Sequence, residues 1–340
     1  GRLVLARQRF TYLREPLPPA TAEPEPRWQV PVQLRVGAGG EVKEERVLLA
    51  EAETRVALPD GFSWVLANAG GHGFYRVRYA GDLLDALLDR LATLATIERF
   101  NHVNDAWAVS VAGLMPLTDY LDLTARFRDE RDRNVWSILL GSLQTLNRLV
   151  APAEQPRLAA LVRGRAGAVL GALGWTPPPG EDELSRQLRG DLVRALGTLG
   201  DDPEVQARAA EAYARHLHDP TAVDPNLLPA VIAVLAHAGD ARRYEEFLAR
   251  FRAAATPQEE QRYLYALAGF RPPELVAQTL ARTVDGEIRT QDAPFVVRAM
   301  LMSVHARVPA WAFVKEHWDV MDRLYPKHGL RRMAEGIVGL

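Results

Sequence analysis

The sequence of 340 residues contains no cysteine. This absence excludes disulfide bonds, thiolate zinc sites and cysteine nucleophiles, and it is typical of proteins from a reducing compartment. Lysine is also scarce, because only Lys43, Lys315 and Lys327 are found among 41 basic residues. We interpret this bias towards arginine as the coding composition of a GC-rich bacterium and not as a sign of chemistry.

Two further absences concern membranes and nucleic acids. No stretch approaches the ~18 uninterrupted apolar residues that a membrane span requires, so we predict no bilayer crossing. Acidic and basic residues nearly balance, with a formal net charge of −2, and they are mixed along the chain. The sequence therefore gives no electrostatic sign of binding to nucleic acid or to an anionic membrane.

Length, composition and chain ends give expectations about domain organisation. At ~100–200 residues per domain, the length favours two domains. Hydrophobic residues make up 48% and charged residues 25% of the chain, which is average for soluble globular proteins. Gly1 leads directly into an alternating apolar run, and residues 331–340 still have a helical pattern. We therefore expect a piece of a longer protein.

Residues 1–80 alternate apolar and polar side chains with the period of β-strands. A proline-rich bridge from Pro16 to Pro26 interrupts the pattern, and residues 37–40 form a glycine-rich hairpin turn. Short strands with no helix between them predict a small antiparallel β-sandwich. The predicted strands are residues 3–12, 28–36, 42–49, 56–58, 64–67 and 74–79.

Residues 81–340 have a helical period and predict a mainly α fold after the small β domain. Asp202-Pro203 predicts a capped helix start, and Thr256 with Glu259 predicts a capping box. Many short helices with short breaks favour stacked antiparallel pairs, that is, an α-solenoid of the HEAT or armadillo type.

The eight histidines do not form a zinc pattern. A catalytic zinc site usually needs two histidines one helical turn apart, and no His-Glu-x-x-His is found. The inverted motif fails because Phe313 lies three residues before Glu316. His216 and His218 point to opposite sides of a helix. We predict no metal site, and we interpret the remaining, isolated histidines as structural: His72, His102, His237, His305 and His328.

Signals for other kinds of site are equally weak. No Gly-x-Ser-x-Gly motif is found, and the serines lack a local partner that would activate them. Residues 70–73 are interpreted as a turn, because a strand follows them where a phosphate site needs a helix. We expect core packing for Trp311, Phe313 and Trp318, and close helix packing at a glycine stripe. We predict no catalytic residue. The stripe consists of Gly164, Gly167, Gly171 and Gly174.

A series of motifs runs through the chain in a fixed order. The first are Gln8-x-Phe10, Trp28-x-Val30-Pro31-Val32, Asn68 and the most specific one, Gly73-Phe74-Tyr75-Arg76-Val77-Arg78-Tyr79. The helical region continues with Arg99, Asn104-Asp105-Ala106, Glu130, Val135-Trp136, Leu173-Gly174-Trp175, Leu188-Arg189, Gln261-Arg262 to Ala266-Leu267, Ile288-Arg289, Gln291-Asp292 and Trp311 to Asp319. In this order and spacing the chain resembles the C-terminal half of aminopeptidase N-type zinc metallopeptidases.

The resemblance implies a role without catalysis. In that family a preceding catalytic domain carries the His-Glu-x-x-His helix and the zinc, and neither has a counterpart here. The helical domain of the family encloses the substrate chamber and limits which peptides enter. By resemblance, the partners of this chain are the catalytic domain of the same parent protein and peptide substrates, and we expect a cytoplasmic location. A family strand that should precede Leu3 is absent, and the helical domain is expected to be truncated at its end.

Substrate-binding residues stay unassigned at this point. Arg262, Arg289 and Arg298 carry the charge needed to pair with a peptide carboxylate, but ion pairs on helix surfaces are the more common role of such residues. An alternative function is a free-standing helical-repeat adaptor that binds another protein. The reading frame upstream of Gly1 distinguishes the two hypotheses.

Overall fold

The computed structural model describes residues 1–12 and 28–339. The predicted proline-rich bridge, Pro16 to Pro26, lies outside the described residues. The chain divides into two compact units, Gly1–Leu139 and Leu140–Leu340, called unit 1 and unit 2 below. The domain boundary predicted at residues 80 and 81 marks the change from strands to helices, and it stays a prediction.

In the described part of unit 1, five strands form two small antiparallel sheets. The strands are β1 (Arg2–Ala6), β2 (Val30–Ala38), β3 (Glu41–Leu49), β4 (Glu53–Ala57) and β5 (Phe62–Ala67). β1 pairs with β4 in one sheet, and β2 lies between β3 and β5 in the other.

The predicted hairpin is confirmed by the pairing of β2 with β3. Its turn uses Gly39 and Gly40, whose φ angles of 56° and 88° favour glycine. The turn is shorter than predicted, because Gly37 and Ala38 belong to β2. Gly37 is needed for packing, since a Cβ atom there would overlap the indole ring of Trp64.

Side chains from both sheets form one hydrophobic cluster. In the strands, alternate residues point to opposite faces, and the buried set faces this cluster. Most of β3 is exposed and charged, which protects the edge of its sheet from pairing. The shared cluster agrees with a β-sandwich, which stays a prediction. Its buried members are Leu3, Val32, Leu34, Val36, Leu49, Val56, Leu58 and Val65.

The predicted strand at residues 74–79 is wrong. These residues form no strand, and polar side chains satisfy two backbone N–H groups, one in this segment and one directly before it. The Gly73 N–H donates to Asn68 Oδ1 over 2.6 Å, and the Val77 N–H donates to Asp105 Oδ2 over 2.9 Å. These side-chain acceptors take the place of the partner strand that alternation alone would suggest.

Fifteen α-helices follow the strands in the described residues. They are α1 (Leu83–Leu88), α2 (Thr96–Val111), α3 (Leu117–Ala125), α4 (Arg133–Leu149), α5 (Gln155–Leu173), α6 (Glu183–Gly197), α7 (Pro203–His218), α8 (Leu228–His237), α9 (Ala241–Arg252), α10 (Pro257–Leu267), α11 (Pro273–Arg282), α12 (Ala293–Leu301), α13 (Arg307–Glu316), α14 (Trp318–Leu324) and α15 (Lys327–Ala334). Short 3-10 helices are found at Ala69–Gly71, Leu91–Thr93, Pro152–Glu154 and Glu335–Gly339.

Both predicted helix starts are confirmed, but the reciprocal half of the predicted capping box is not. Glu259 Oε2 accepts a hydrogen bond from the Ala255 N–H over 3.1 Å in place of the Thr256 N–H. Asp202 caps α7 by accepting hydrogen bonds from the N–H groups of Glu204 and Val205, at 3.0 and 3.2 Å. Thr256 caps α10 by accepting a hydrogen bond from the Glu259 N–H over 3.2 Å. A proline follows each cap, where its missing N–H has no cost.

In unit 2, helices α5 to α10 pack on others that are next, or next but one, in the sequence. α5 packs on α6, α6 and α7 both pack on α8, and α9 packs on α10. These contacts between neighbours agree with stacked pairs, and the HEAT-type superhelix stays a prediction. Among the described residues, no helix is both long enough and apolar enough to cross a lipid bilayer.

An aromatic cluster fills part of the core of unit 2. Phe247 of α9 lies at its centre, with ring centroids 5.7 Å from Tyr213, 5.3 Å from Tyr263 and 6.0 Å from Phe270. All three pairs have the edge-to-face geometry that aromatic rings prefer. The hydroxyl groups of Tyr213 and Tyr263 lie 3.3 Å apart, so each buried hydroxyl has a hydrogen-bond partner.

Candidate functional site

The structure brings together two histidines that are isolated in the sequence. His237 is the last residue of α8 and His305 precedes α13, and their ring centroids lie 5.7 Å apart. His237 Nε2 is 3.5 Å from Asp201 Oδ1, and Asp201 Oδ2 is 3.5 Å from Arg271 Nη1. The sequence gives no sign of this cluster, because its members come from the ends of different helices and share no spacing.

The electrostatics of this histidine cluster do not favour a metal ion. Burial, and then repulsion by Arg271, lowers the pKa of His237 to about 4. The same two causes lower the pKa of His305. Neutral imidazoles are potential metal ligands, but here a guanidinium group lies beside them. In residues 1–12 and 28–339, no three His, Asp or Glu side chains form a group that could hold a metal ion.

Glu98 of α2 joins three segments of unit 1. The Glu98 side chain is buried and accepts hydrogen bonds from Arg35 Nη1 at 2.8 and 3.1 Å. It also accepts hydrogen bonds from the N–H groups of Gly70 and Ala95, both at 2.9 Å. A carboxylate with this many donors holds β2, the 3-10 helix at residues 69–71 and the start of α2 together.

Asp105, about two turns further along α2, holds the segment at Arg76 and Val77. Its carboxylate accepts hydrogen bonds from the Val77 N–H at 2.9 Å and from Arg76 Nη1 at 3.3 Å. Burial raises the pKa of Asp105 to about 6, although both hydrogen bonds act in the opposite direction. The neighbouring His102 is buried against Tyr79, with ring centroids 5.3 Å apart, and burial lowers the pKa of His102 to about 4.

Glu130 has the same role before α4. Arg99 donates to its two carboxylate oxygens at 2.6 and 3.2 Å, and the N–H groups of Arg131 and Asp132 donate at 2.9 and 2.8 Å. The indole N–H of Trp136 donates to the Glu130 carbonyl over 3.0 Å. The motif residues Arg99, Glu130 and Trp136 therefore form one connected unit.

Arg189 of α6 is the buried cation of unit 2. Its guanidinium group makes two hydrogen bonds to Glu181, both at 2.7 Å, and its side chain is 1% exposed. It also donates to the carbonyls of Gly174 and Leu173, at 2.8 and 3.1 Å, where α5 ends. Arg189 thus satisfies carbonyls that the end of a helix leaves unpaired. The motif residues Leu173, Gly174 and Arg189 act together to fix a turn.

The three arginines considered for peptide binding differ in their partners. Arg289 pairs with Glu260 at 2.9 Å and with Asp292 at 3.0 Å, and Arg298 pairs with Glu335 at 3.4 Å. Arg262 of α10 is half-buried and has no ion pair in the described part of the chain. Only Arg262 therefore keeps its guanidinium free for a carboxylate from another molecule.

Two sequence expectations about packing are wrong. Trp318 is 48% exposed and does not belong to the core, because α13 ends at Glu316 and breaks the helical spacing. Trp311 and Phe313 are only half-buried, and Phe313 stacks on His317 with a centroid distance of 4.0 Å. At all four glycines of the predicted close-packed stripe, an added Cβ would meet no described atom within 4 Å. These are Gly164, Gly167, Gly171 and Gly174.

The interpretation of residues 70–73 as a turn is confirmed. Gly70 and Gly71 have φ angles of 73° and 70°, which side chains rarely allow. The Asn68 side chain brackets the turn, since its Nδ2 donates to the Gly73 carbonyl at 3.0 Å and its Oδ1 accepts from the Gly73 N–H. Asn68 itself adopts a left-handed conformation, with φ of 61°. In the described residues the next helix, α1, begins only at Leu83, so no helix N-terminus that would suit a phosphate follows the turn directly.

Comparison with known families and proteins gives a consistent result. The family model of the ERAP1-like C-terminal domain matches residues 64–339. Aminopeptidase M1 of Arabidopsis thaliana is 27% identical over 350 aligned positions, which cover 96% of this chain and 38% of that protein. Aminopeptidase M1-C of Oryza sativa subsp. japonica is 28% identical, over 88% of this chain and 36% of that protein.

A more distant relative extends the range of organisms. Glutamyl aminopeptidase of Mus musculus is 23% identical over 86% of this chain and 32% of that protein. The chain therefore spans about a third of the length of the curated relatives it matches.

Proposed function

Because this chain belongs to the ERAP1-like C-terminal domain family, we propose that it is the non-catalytic C-terminal region of a zinc aminopeptidase. The whole enzyme would remove N-terminal residues from peptides. The family match over residues 64–339 carries the proposal, and the relatives named as aminopeptidases support it. The cytoplasmic location and the bacterial origin stay predictions from the sequence.

The zinc of such an enzyme would be bound outside this chain. The described residues do not fit a zinc site, since they contain no suitable group of three ligands and Arg271 lies next to the one pair of neighbouring histidines. The buried carboxylates Glu98, Asp105 and Glu130 already accept hydrogen bonds from the chain itself. No step that involves the metal is assigned to this chain.

We propose that the helical unit encloses the substrate chamber and limits the entry of peptides. An exopeptidase that acts only on free N-termini benefits from walls that keep folded proteins out. Buried contacts such as those of Arg189 with Glu181 fix the connections between helices. A helical unit held in this way would be rigid enough to form the wall of a chamber. Of the arginines considered, we propose that Arg262 contacts the carboxylate of longer peptides, since it has no partner of its own.

The experiment uses the longer chain that the natural reading frame encodes. We expect a His-Glu-x-x-His motif upstream of Gly1 and hydrolysis of an aminoacyl chromogenic substrate. Arg262→Ala should raise KM for peptides of eight to ten residues by about tenfold, the value of one lost charge-assisted hydrogen bond, and leave KM for the small chromogenic substrate unchanged.

Arg242→Ala is the matched control, because Arg242 is exposed on α9 and has no ion pair in the described part of the chain. This variant should behave like the wild type with both substrates. Equal effects of the two substitutions on peptide KM would contradict the role of Arg262. A reading frame without a metallopeptidase motif would contradict the proposed function and favour the adaptor hypothesis.

A further inference from the structure

Phe74 is the most exposed large hydrophobic side chain in the described residues. Its relative exposure is 109%, whereas phenylalanine side chains are among those most often buried in proteins. Phe74 does not lie near either end of the described segments, where loose side chains are common. It belongs to the motif Gly73 to Tyr79, which is the most specific one in the sequence. Its exposure therefore needs an explanation.

The backbone around Phe74 is held from both sides. On the N-terminal side, the Asn68 side chain makes two hydrogen bonds to Gly73, and the buried Glu98 accepts a hydrogen bond from Gly70. On the C-terminal side, the Val77 N–H donates to Asp105. We call residues 68–77 the Phe74 loop. Both of the carboxylates that hold this loop come from α2, so the loop is fixed to a regular element.

This combination is typical of an interface anchor. An aromatic ring on a constrained loop loses little conformational entropy when it enters a pocket, and it brings a large apolar area. Residues that dominate binding energy are often such aromatic side chains. A fully exposed ring without a partner lacks the stabilisation that burial would give it. The loop thus holds the ring in solvent, and the isolated chain lacks the free energy that burial of the ring would contribute.

We propose that Phe74 anchors unit 1 to the catalytic region of the same aminopeptidase chain. The inference rests on the proposed function. The relatives named above are about three times as long as the matched part, so most of such a chain lies outside these residues. The matched domain is a C-terminal one and its match begins at Trp64, ten residues before Phe74. We therefore expect the Phe74 ring to enter an apolar pocket on the preceding part of the chain.

The test places a photo-crosslinking residue, p-benzoylphenylalanine, at position 74 of the longer natural chain. After irradiation and proteolysis, mass spectrometry should find crosslinks from position 74 to peptides that precede Gly1. Position 42 is the matched control, because Val42 is 58% exposed on the charged strand β3. We expect no crosslinks from position 42 to that preceding region.

Three other outcomes at position 74 would overturn the inference. They are crosslinks between two copies of the chain, crosslinks to an added peptide substrate, and no crosslinks at all. Aminopeptidase activity of the same preparation is measured in parallel. If the longer chain is active but position 74 does not crosslink upstream, only the role of Phe74 is wrong. If the longer chain has no peptidase region, the proposed function fails and the inference fails with it.

A second measurement uses stability. Phe74→Ser in the chain of 340 residues should leave the thermal unfolding midpoint unchanged, because the ring contacts nothing that would be lost. In the longer chain, the same substitution should lower the midpoint by roughly 2 °C or more. Val42→Ser should have no effect in either protein. A lowered midpoint in the short chain, or an unchanged one in the long chain, would contradict the inference.

Discussion

The two compact units differ in the way they use buried charge. In unit 1, Glu98, Asp105 and Glu130 are all buried, and each accepts backbone hydrogen bonds. The donors to Glu98 and Asp105 include another segment, and those to Glu130 are the two residues that follow it. In unit 2, the buried residues are mostly apolar or aromatic, and Arg189 is the large charged side chain among them.

The difference follows from the backbone. Helices satisfy their own N–H and C=O groups except at the ends, whereas irregular segments need acceptors from elsewhere. Unit 1 contains two small sheets and the irregular segment at residues 72–80, and buried carboxylates supply those acceptors. Unit 2 is built from helices, so packing of side chains such as Phe247 is sufficient for most of its core. The stability of unit 1 should therefore depend more on single polar residues.

The largest expected effect tests that dependence. Glu98→Ala leaves Arg35 without its buried partner and leaves the N–H groups of Gly70 and Ala95 without an acceptor. The free energy of unfolding of unit 1 should fall by about 3–5 kcal/mol, as for other broken buried ion pairs. Urea unfolding measures this change.

Glu44→Ala is the matched control, because Glu44 pairs with the same Arg35 but its side chain is 53% exposed. A surface ion pair contributes about 0–1 kcal/mol, so this variant should be close to the wild type. Similar losses for Glu98→Ala and Glu44→Ala would show that burial of the carboxylate is not what stabilises unit 1.

A fall in pH should destabilise unit 2 more than unit 1, which is the opposite order to the effect of removing Glu98. In unit 1, burial raises the pKa of Asp105 to about 6 and lowers that of His102 to about 4. Between pH 6.5 and pH 4, folding releases protons at His102 and takes up protons at Asp105, so their contributions to stability oppose each other. In unit 2, the pKa values of His237 and His305 are both lowered, and both favour unfolding as the pH falls.

We therefore expect unit 2 to lose about 2 kcal/mol between pH 7 and pH 5, largely through His237, while unit 1 changes little. Hydrogen exchange at the two pH values, corrected for the intrinsic rates, resolves the units. His237→Gln should remove most of the loss, and substitution of the exposed His218 by Gln should not. A larger acid effect in unit 1 would contradict the cancellation between Asp105 and His102.

A smaller effect is expected at a helix start in unit 2. Asp202→Ala removes the acceptor for the N–H groups of Glu204 and Val205, which should cost about 1 kcal/mol. Asp202→Asn keeps an oxygen acceptor and should restore most of the stability. Urea unfolding of both variants checks the prediction. A loss as large as that of Glu98→Ala would mean that unit 2 depends on single polar residues as strongly as unit 1.

The smallest change in stability is expected for a substitution in strand β1 of unit 1. The quantity measured there is association between copies of the chain. In the described residues β1 pairs only with β4, and Val4 at its centre is 51% exposed. Among the described residues no strand pairs with the other edge of β1, which leaves that edge available to a strand from a second copy. Sedimentation should show association that increases with concentration and that Val4→Lys reduces. A clean monomer at high concentration would count against an open edge.

Local signals in the sequence predicted the parts of the fold that local contacts determine. The hairpin at residues 30–49 follows from alternation and a glycine turn, and the start of α7 follows from Asp202 and Pro203. The segment at residues 74–79 alternates like a strand, but Asp105 takes the Val77 N–H away from any strand partner. That competition arises only when α2 packs beside the segment, and the spacing of residues in the sequence does not reveal this packing.

The same reasoning applies to the candidate sites. His237 and His305 meet because helix ends come together in space, so their sequence positions gave no signal. The motif residues Arg99, Glu130 and Arg189 were recognised in the sequence, but their buried hydrogen bonds required the structure. The sequence motif contains Phe74, but only the structure shows that its ring is exposed.

The most direct test of a non-catalytic role measures bound zinc and turnover together on the chain of 340 residues. The chain is equilibrated with zinc, passed through a desalting column, and assayed for metal content and for hydrolysis of an aminoacyl chromogenic substrate. We expect no retained zinc and no turnover above the buffer control. One zinc ion per chain that is lost in His237→Gln and His305→Gln, together with turnover, would contradict the role proposed here.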